Sequence, residues 1–424
     1  MGRAYLAGQR HRGRGLPPAA LSRHTSSHAP STSPQPLPSP LATLAATLFK
    51  PDVARSLRRR GFVVIDDALD LVTCNALCTD IEQLHEQGLL APNESHHVVV
   101  RAGGSHETTR IIKQGIWEVE GSVGVRSAPS GTATMLRAVG ADPALLPALT
   151  AALGSAGGVP PLLFTTQSLK AQLNEGSGGC FPLHVDSDAA VDARLATVLL
   201  YPGIAPTDGC RDGTDAHSGT PSRGSGSSSD GALHLAPFPF PPIDVPLRRG
   251  RAVVFSAQRM LHGTRPAQSR RYCVTLWLSG RRAAAEAPSG RSSSSGAPQS
   301  PPSLRPPAQE PAAAALAALL RHPSLRLYAG RWAHAAEVAA AFPAAFGEGS
   351  QAAAAALARH ERETRVIAAA LAEWLERRGL ATPCARGGGG GARLLDQVEA
   401  LLPLPWEEGG TGGSLDADPL VQWW

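Results

Sequence analysis

The stretch Arg270-Arg271-Tyr272-Cys273-Val274-Thr275-Leu276-Trp277-Leu278 decides the fold. On a strand, side chains alternate between two faces. Tyr272, Val274, Leu276 and Leu278 then form a uniformly apolar face, expected to pack outward under helices. Arg271, Cys273, Thr275 and Trp277 form the other face, which turns a guanidinium and a hydroxyl inward. Upstream runs of the same kind fall at Leu162–Thr166, Leu169–Leu173, Ala196–Tyr201, Leu233–Ala236 and Ala252–Ser256. Their spacing and turn residues predict an all-β sandwich or barrel core. Further back, Gly61–Ile65 reads as a buried strand that ends at Asp66-Asp67. A helix follows over 71–87, with Cys74, Leu77, Cys78, Ile81 and Leu84 on one face and Gly88 as its stop.

The chain has 424 residues, of which 44 are Gly and 37 Pro, so part of it is not packed structure. Residues 1–50 are a basic leader without Asp or Glu, a composition that fits an organellar transit peptide or a disordered tail alike. The net charge of +5 belongs to this leader. Six of the 40 basic residues lie within it, which leaves 34 against 35 acidic ones. A nucleic-acid partner is therefore not expected, because the phosphate-binding contribution would be weak. No apolar run approaches the ~18 residues of a membrane span, so no membrane partner is expected either. The six cysteines are scattered without a Cys-x-x-Cys pair, which suggests a reducing, intracellular compartment. That compartment is an organelle if the leader is cleaved, and otherwise the cytoplasm.

The domain organisation read from composition is a core over 51–282, interrupted by a polar Gly/Ser-rich insertion at 207–231. A Pro/Ser linker follows at 283–312, then an Ala-rich helical region at 313–380 and a loose Gly-rich tail at 381–424.

The chemistry sits in Phe181-Pro182-Leu183-His184-Val185-Asp186. A His and a carboxylate two apart on an extended chain point the same way and can bind one ion. A third ligand is available downstream at His262. Two His and one carboxylate on one face of a metal form the facial triad of non-haem Fe(II) oxygenases, which leaves open positions for oxygen and cosubstrate. Arg271 follows His262 by nine residues. A buried Arg is costly unless an anion meets it, and its fork suits a carboxylate. A dicarboxylate cosubstrate accounts for both, with one end on the metal and the other on Arg271. His234 competes for the third ligand, and Arg265 and Arg270 compete with Arg271. Strand alternation points Arg270 the wrong way, and Arg265 lies across the turn. Cys74, Cys78, Cys180 and Cys273 read as small buried hydrophobes, and Trp117 as core.

These residues resemble the iron(II)/2-oxoglutarate dioxygenases of the prolyl 4-hydroxylase group, most of all the Egl-nine type. The resemblance rests on Arg60-Gly-Phe-Val-Val-Ile-Asp-Asp67, Leu84-His-Glu-Gln-Gly88 and Ile116-Trp-Glu-Val-Glu-Gly121. It continues through His184-Val-Asp186, Asp192-Ala-Arg194 and the His262 to Arg271 step, and covers about 52–280. It implies a double-stranded β-helix (jelly-roll) core, mainly β with flanking helices, followed here by the C-terminal helical appendage. It implies Fe(II) on His184, Asp186 and His262, 2-oxoglutarate on Arg271 with Thr275 assisting, and ascorbate as an auxiliary reductant. No catalytic side chain beyond the metal site is implied. The family's tyrosines that help hold the cosubstrate carboxylate align with Asn174 and Leu200, and Tyr201 is expected to face the opposite side. Asn174 is thus a candidate cosubstrate ligand. The implied reaction hydroxylates peptidyl proline and releases succinate and CO2, so a protein or peptide is the expected partner. The same chemistry on a small molecule, and a non-catalytic jelly-roll binding module, remain alternatives.

Overall fold

The computed structural model describes residues 39–100, 106–154, 161–187, 192–204, 230–282 and 311–378, with single positions 394, 396, 398, 421, 423 and 424. The transit-peptide, insertion and linker readings lie almost wholly outside these residues. The chain divides into two units, one of Met1–Pro38 with His96–Arg110 and one of Ser39–Ser95 with Ile111–Trp424. In the first, the description extends to strand backbone only. The rest of the account concerns the second.

The chain opens with α1 (Ala42–Leu48), α2 (Pro51–Arg60), β1 (Phe62–Ile65) and α3 (Leu71–Glu86). Next come β2 (Ala91–Val100), β3 (His106–Glu120), a π turn at Gly121–Val125, α4 (Thr134–Ala141) and α5 (Leu145–Ala152). The β core continues with β4 (Leu162–Asn174), β5 (Phe181–His184), β6 (Arg194–Ile204) and β7 (Leu233–Ala236). It ends with β8 (Ile243–Val245), β9 (Arg251–Ser256), β10 (Leu261–Thr264) and β11 (Arg271–Arg282). Four helices follow: α6 (Pro311–Arg321), α7 (Pro323–Ala333), α8 (Ala335–Phe346) and α9 (Gln351–Glu376).

The strands form a seven-stranded sheet in the order β1-β9-β6-β11-β4-β3-β2 and a four-stranded sheet in the order β5-β10-β7-β8. The pairs around the site are antiparallel. The architecture is mixed α and β, and among the described residues the two sheets do not close into a barrel. The deciding strand behaves as its pattern dictates. Tyr272, Val274, Leu276 and Leu278 join one core with Leu77 and Ile81 of α3 and Leu136 of α4. Cys273, on the other face, joins a second core with Leu233 and Leu235 of the small sheet. The two runs expected at 162–166 and 169–173 are a single strand, β4, because β11 pairs along all of it with one irregularity at Ser279/Gly280.

Two boundaries differ from the sequence reading. Order begins before Pro51: α1 presents Leu44 and Leu48, with Leu41 before it, to the first core. A one-turn apolar face inside an otherwise basic, acid-free leader is too short to register as periodicity. The tail is not loose at its far end. Trp423 is buried, with its ring where a side chain on Gly61 would project. The Trp424 indole N–H donates to the Leu57 carbonyl at 2.6 Å. Gly61 has a φ of +76° after α2, the left-handed helix end that glycine favours. No helix among the described residues is long and apolar enough to cross a membrane.

Truncating Leu276, fully buried between β11's neighbours and the helices, is expected to cost about 2–5 kcal/mol. Urea denaturation of Leu276→Ala checks this.

Candidate metal centre

The small sheet brings the ligand candidates together. β5 and β10 are antiparallel neighbours, and His184 lies directly opposite His262. Their ring centroids are 4.4 Å apart. Asp186 follows β5 by two residues, where Ala257 accepts its backbone N–H at 3.1 Å. One oxygen, Oδ1, lies 3.8 Å from His184 Nε2 and 3.6 Å from His262 Nε2. The other, Oδ2, accepts from the Thr197 hydroxyl at 2.5 Å. Thr197 is on β6, so this bond ties the cluster on the small sheet to the larger one. One ligand atom from each of His184, Asp186 and His262 lies within 4.8 Å of the others.

Hydrogen bonding fixes which nitrogens face the centre. A carbonyl oxygen can only accept, so His184 Nδ1–H donates to Pro182 at 2.8 Å and His262 Nδ1–H donates to Met260 at 3.1 Å. Both Nε2 lone pairs are left for the centre, the arrangement that orients metal-binding imidazoles. Desolvation, and then the neighbouring His262, hold the His184 imidazole below its ordinary range and therefore neutral. Burial alone would raise the Asp186 pKa. The two imidazoles and the Thr197 hydroxyl outweigh it and hold the carboxyl ionised, below the usual carboxylate range.

The cluster lines a cavity of about 50 Å³, open to solvent, between the sheets. Arg271, Cys273, Thr275 and Trp277 of β11 line the same cavity, as alternation required. Arg271 is 5% exposed. It donates from Nη1 to the Gly231 carbonyl at 2.8 Å, and no carboxylate pairs with it among the described residues. The competing residues are engaged elsewhere. Arg270 pairs with Glu82 on α3, while Arg265 bridges Asp244 and Glu337. His234 bonds Asp244 at 2.5 Å and does not join the triad. Cys74 is buried in the first core, and Trp117 packs against that core.

Two expectations are corrected. Asn174 does not line the cavity. It sits opposite Arg271 in the sheet, and its amide is spent locally: Nδ2 donates to Gly179 at 2.9 Å and Oδ1 accepts from Gly176 at 3.0 Å. Tyr201 does line the cavity, whereas Leu200 is buried in the core beneath the helices. Thr197, Leu199 and Tyr201 share the inner face of β6, so the tyrosine and the threonine that holds Asp186 point the same way. Reading β6 by the alternation applied to β11 finds both. Burial raises the Tyr201 pKa, which keeps its phenol a hydrogen-bond donor.

Lys170 and Gln172 also line the cavity, a contribution the sequence reading missed. The Lys170 ammonium lies 3.2 Å from Glu118 and 5.0 Å from the Trp277 ring centroid, and the Arg194 guanidinium stacks on that ring at 4.2 Å.

No protein-family model matches the chain, and no curated protein matches it. Solved structures do. A prolyl 4-hydroxylase from Phytophthora capsici is similar at 21% identity and a TM-score of 0.52, over 88% of this chain and 99% of that one. A prolyl hydroxylase from Trichoplax adhaerens, solved with a hypoxia inducible factor peptide fragment, is 18% identical, covers 56% of this chain and 90% of its own, and scores 0.40. A Pseudomonas putida prolyl-4-hydroxylase is 18% identical, covers 55% and 99%, and scores 0.38. At these identities the likeness is one of fold, and that fold is shared with prolyl 4-hydroxylases.

Asn174→Ala leaves two backbone groups without partners and is expected to cost about 1–3 kcal/mol while leaving the cavity wall unchanged. A lowered melting temperature in thermal denaturation is the expected result.

Proposed function

We propose that this chain is an Fe(II)- and 2-oxoglutarate-dependent dioxygenase that hydroxylates peptidyl proline. One observation carries the proposal. Two imidazole Nε2 atoms and an ionised carboxylate converge in one cavity with a buried guanidinium that meets no carboxylate among the described residues.

The donor set fits the metal. Two imidazole nitrogens and one carboxylate are the facial triad of non-haem iron sites, and a structural zinc site would take a fourth protein ligand. His184, Asp186 and His262 would hold the ion. Arg271 would pair with the distal carboxylate of 2-oxoglutarate through the N–H groups that Gly231 does not use. The Tyr201 and Thr275 hydroxyls lie in the same wall to assist. When bound, iron supplies the activation of O2 that couples decarboxylation of 2-oxoglutarate, to succinate and CO2, with oxidation of a substrate C–H bond. The protein's own part is geometric. Thr197 orients Asp186, the two backbone carbonyls set the imidazole tautomers, and Phe181, Leu199 and Leu233 supply apolar parts of the cavity wall. Ascorbate enters as an auxiliary reductant.

The two facing sheets are read as the halves of a double-stranded β-helix. The prolyl specificity rests on the sequence motifs of the resemblance, and the shared Phytophthora fold is in keeping with it. Trp277, Lys170 and Arg194 would face the substrate.

Anaerobic titration with Fe(II) and 2-oxoglutarate should produce a weak visible charge-transfer band, and aerobic turnover should release succinate. His262→Ala should abolish the band. Arg271→Met should weaken 2-oxoglutarate binding by an order of magnitude or more while Fe(II) binding persists. An unchanged band in His262→Ala, or no succinate from the parent, counts against the assignment.

A further inference from the structure

The sequence leaves the role of the Ala-rich helices open. We propose that α7 and α8 set the positions of the two metal-binding histidines, with Gly330 and Glu337 as positioning residues. This rests on the metal reading above.

The two strands that carry the imidazoles each lie against one of these helices: β10, with His262, against α7 and β5, with His184, against α8. The α7 contact is a close backbone approach. Gly330 is buried in the interior of the helix, where glycine is unfavourable by propensity. Packing explains it. A Cβ at that position would lie 3.1 Å from Leu261 Cδ1 and 3.0 Å from Phe238 Cβ. Leu261 is the residue immediately before His262, so a side chain at 330 meets the Leu261 side chain on the strand that carries this ligand. Interiors are too densely packed to absorb such a push locally.

The α8 contact adds a charged latch. Glu337 lies in the first turn of α8. Its carboxylate accepts from Arg265 Nη1 at 2.9 Å and lies 3.0 Å from His234 Nε2. Arg265 follows β10 directly, and His234 is on β7 opposite Gly263, the residue after His262. One carboxylate therefore bonds Arg265, just past the strand that carries His262, and lies beside His234 of the neighbouring strand. Glu337 also accepts from His334 at 3.3 Å, at the junction of α7 and α8, so the latch reaches both helices. Near the proximal ligand, the Cys180 thiol donates to the Ala341 carbonyl of α8 at 3.8 Å. The two histidines face each other from strands that these helices clamp from behind.

Co(II) titration of the full chain, read by ligand-field bands, tests this without turnover. Gly330→Val and Glu337→Gln should each weaken Co(II) binding about tenfold or more, as loss of an outer support typically does, and should shift the bands, with far-ultraviolet circular dichroism unchanged. Leu261→Ala in the Gly330→Val background should restore affinity to within about twofold of the parent, because it removes the one of the two close atoms that belongs to the His262 strand. Gly330→Ala, the milder substitution, takes the place of Gly330→Val if the latter does not fold. Parental affinity and bands in the folded variants, or failure of Leu261→Ala to rescue, would overturn the inference. A parent that takes up no Co(II) would instead overturn the metal reading itself.

Discussion

Everything in this molecule turns on holding two imidazoles and a carboxylate face to face in one cavity. Left to itself such a cluster is unstable in its geometry: rings rotate, and a buried carboxylate swings to whatever donor it finds. Here each member is held from behind. Carbonyls of Pro182 and Met260 fix the two rings, and the Thr197 hydroxyl fixes Asp186. The threonine comes from the larger sheet and the histidines from the smaller, so the distance between the sheets is set at the site. The antiparallel pairing that puts His184 opposite His262 matters for the same reason. A slip of one residue would send one ring to the opposite face.

The same alternation explains what could be read in advance. β11 carries a long, clean pattern, so both of its faces were legible, including the guanidinium that reaches the cavity. β6 carries the same pattern in Thr197, Leu199 and Tyr201, but matching it to the tyrosines of the resembled family displaces it by one residue. Physical reading of the strand corrects that displacement without any family knowledge. Asn174 was misread for another reason. Its backbone position opposite Arg271 is that of a cavity residue, yet a short amide beside Gly176 and Gly179 satisfies the turn before it can reach the cavity. Lys170 and Gln172 could not be called from pattern, because polar residues on a strand are normally taken for the solvent face. The pairing of β4 with β11 is what turns them inward, and pairing is a tertiary fact.

The helical parts show the limit of composition as a guide. An Ala-rich stretch has strong helix propensity and little else to mark its faces. Its apolar contacts are legible only once the small sheet exists to receive Leu316, Leu319 and Leu371. The tryptophans at 423 and 424 are similar: two large aromatics after a glycine-rich run have no local pattern, and only the space beside Gly61 and Leu57 gives them a place. Elements that depend on non-local partners resist sequence reading. Those that carry their own periodicity, such as α3 and β11, do not.

The claim that matters most is that His184, Asp186 and His262 share one ion in a cavity that Arg271 also enters. Anomalous scattering from a crystal grown with Zn(II) tests it directly. The account predicts one peak about 2.0–2.2 Å from both Nε2 atoms and an Asp186 oxygen. A peak on other residues, or none at this position, would contradict it.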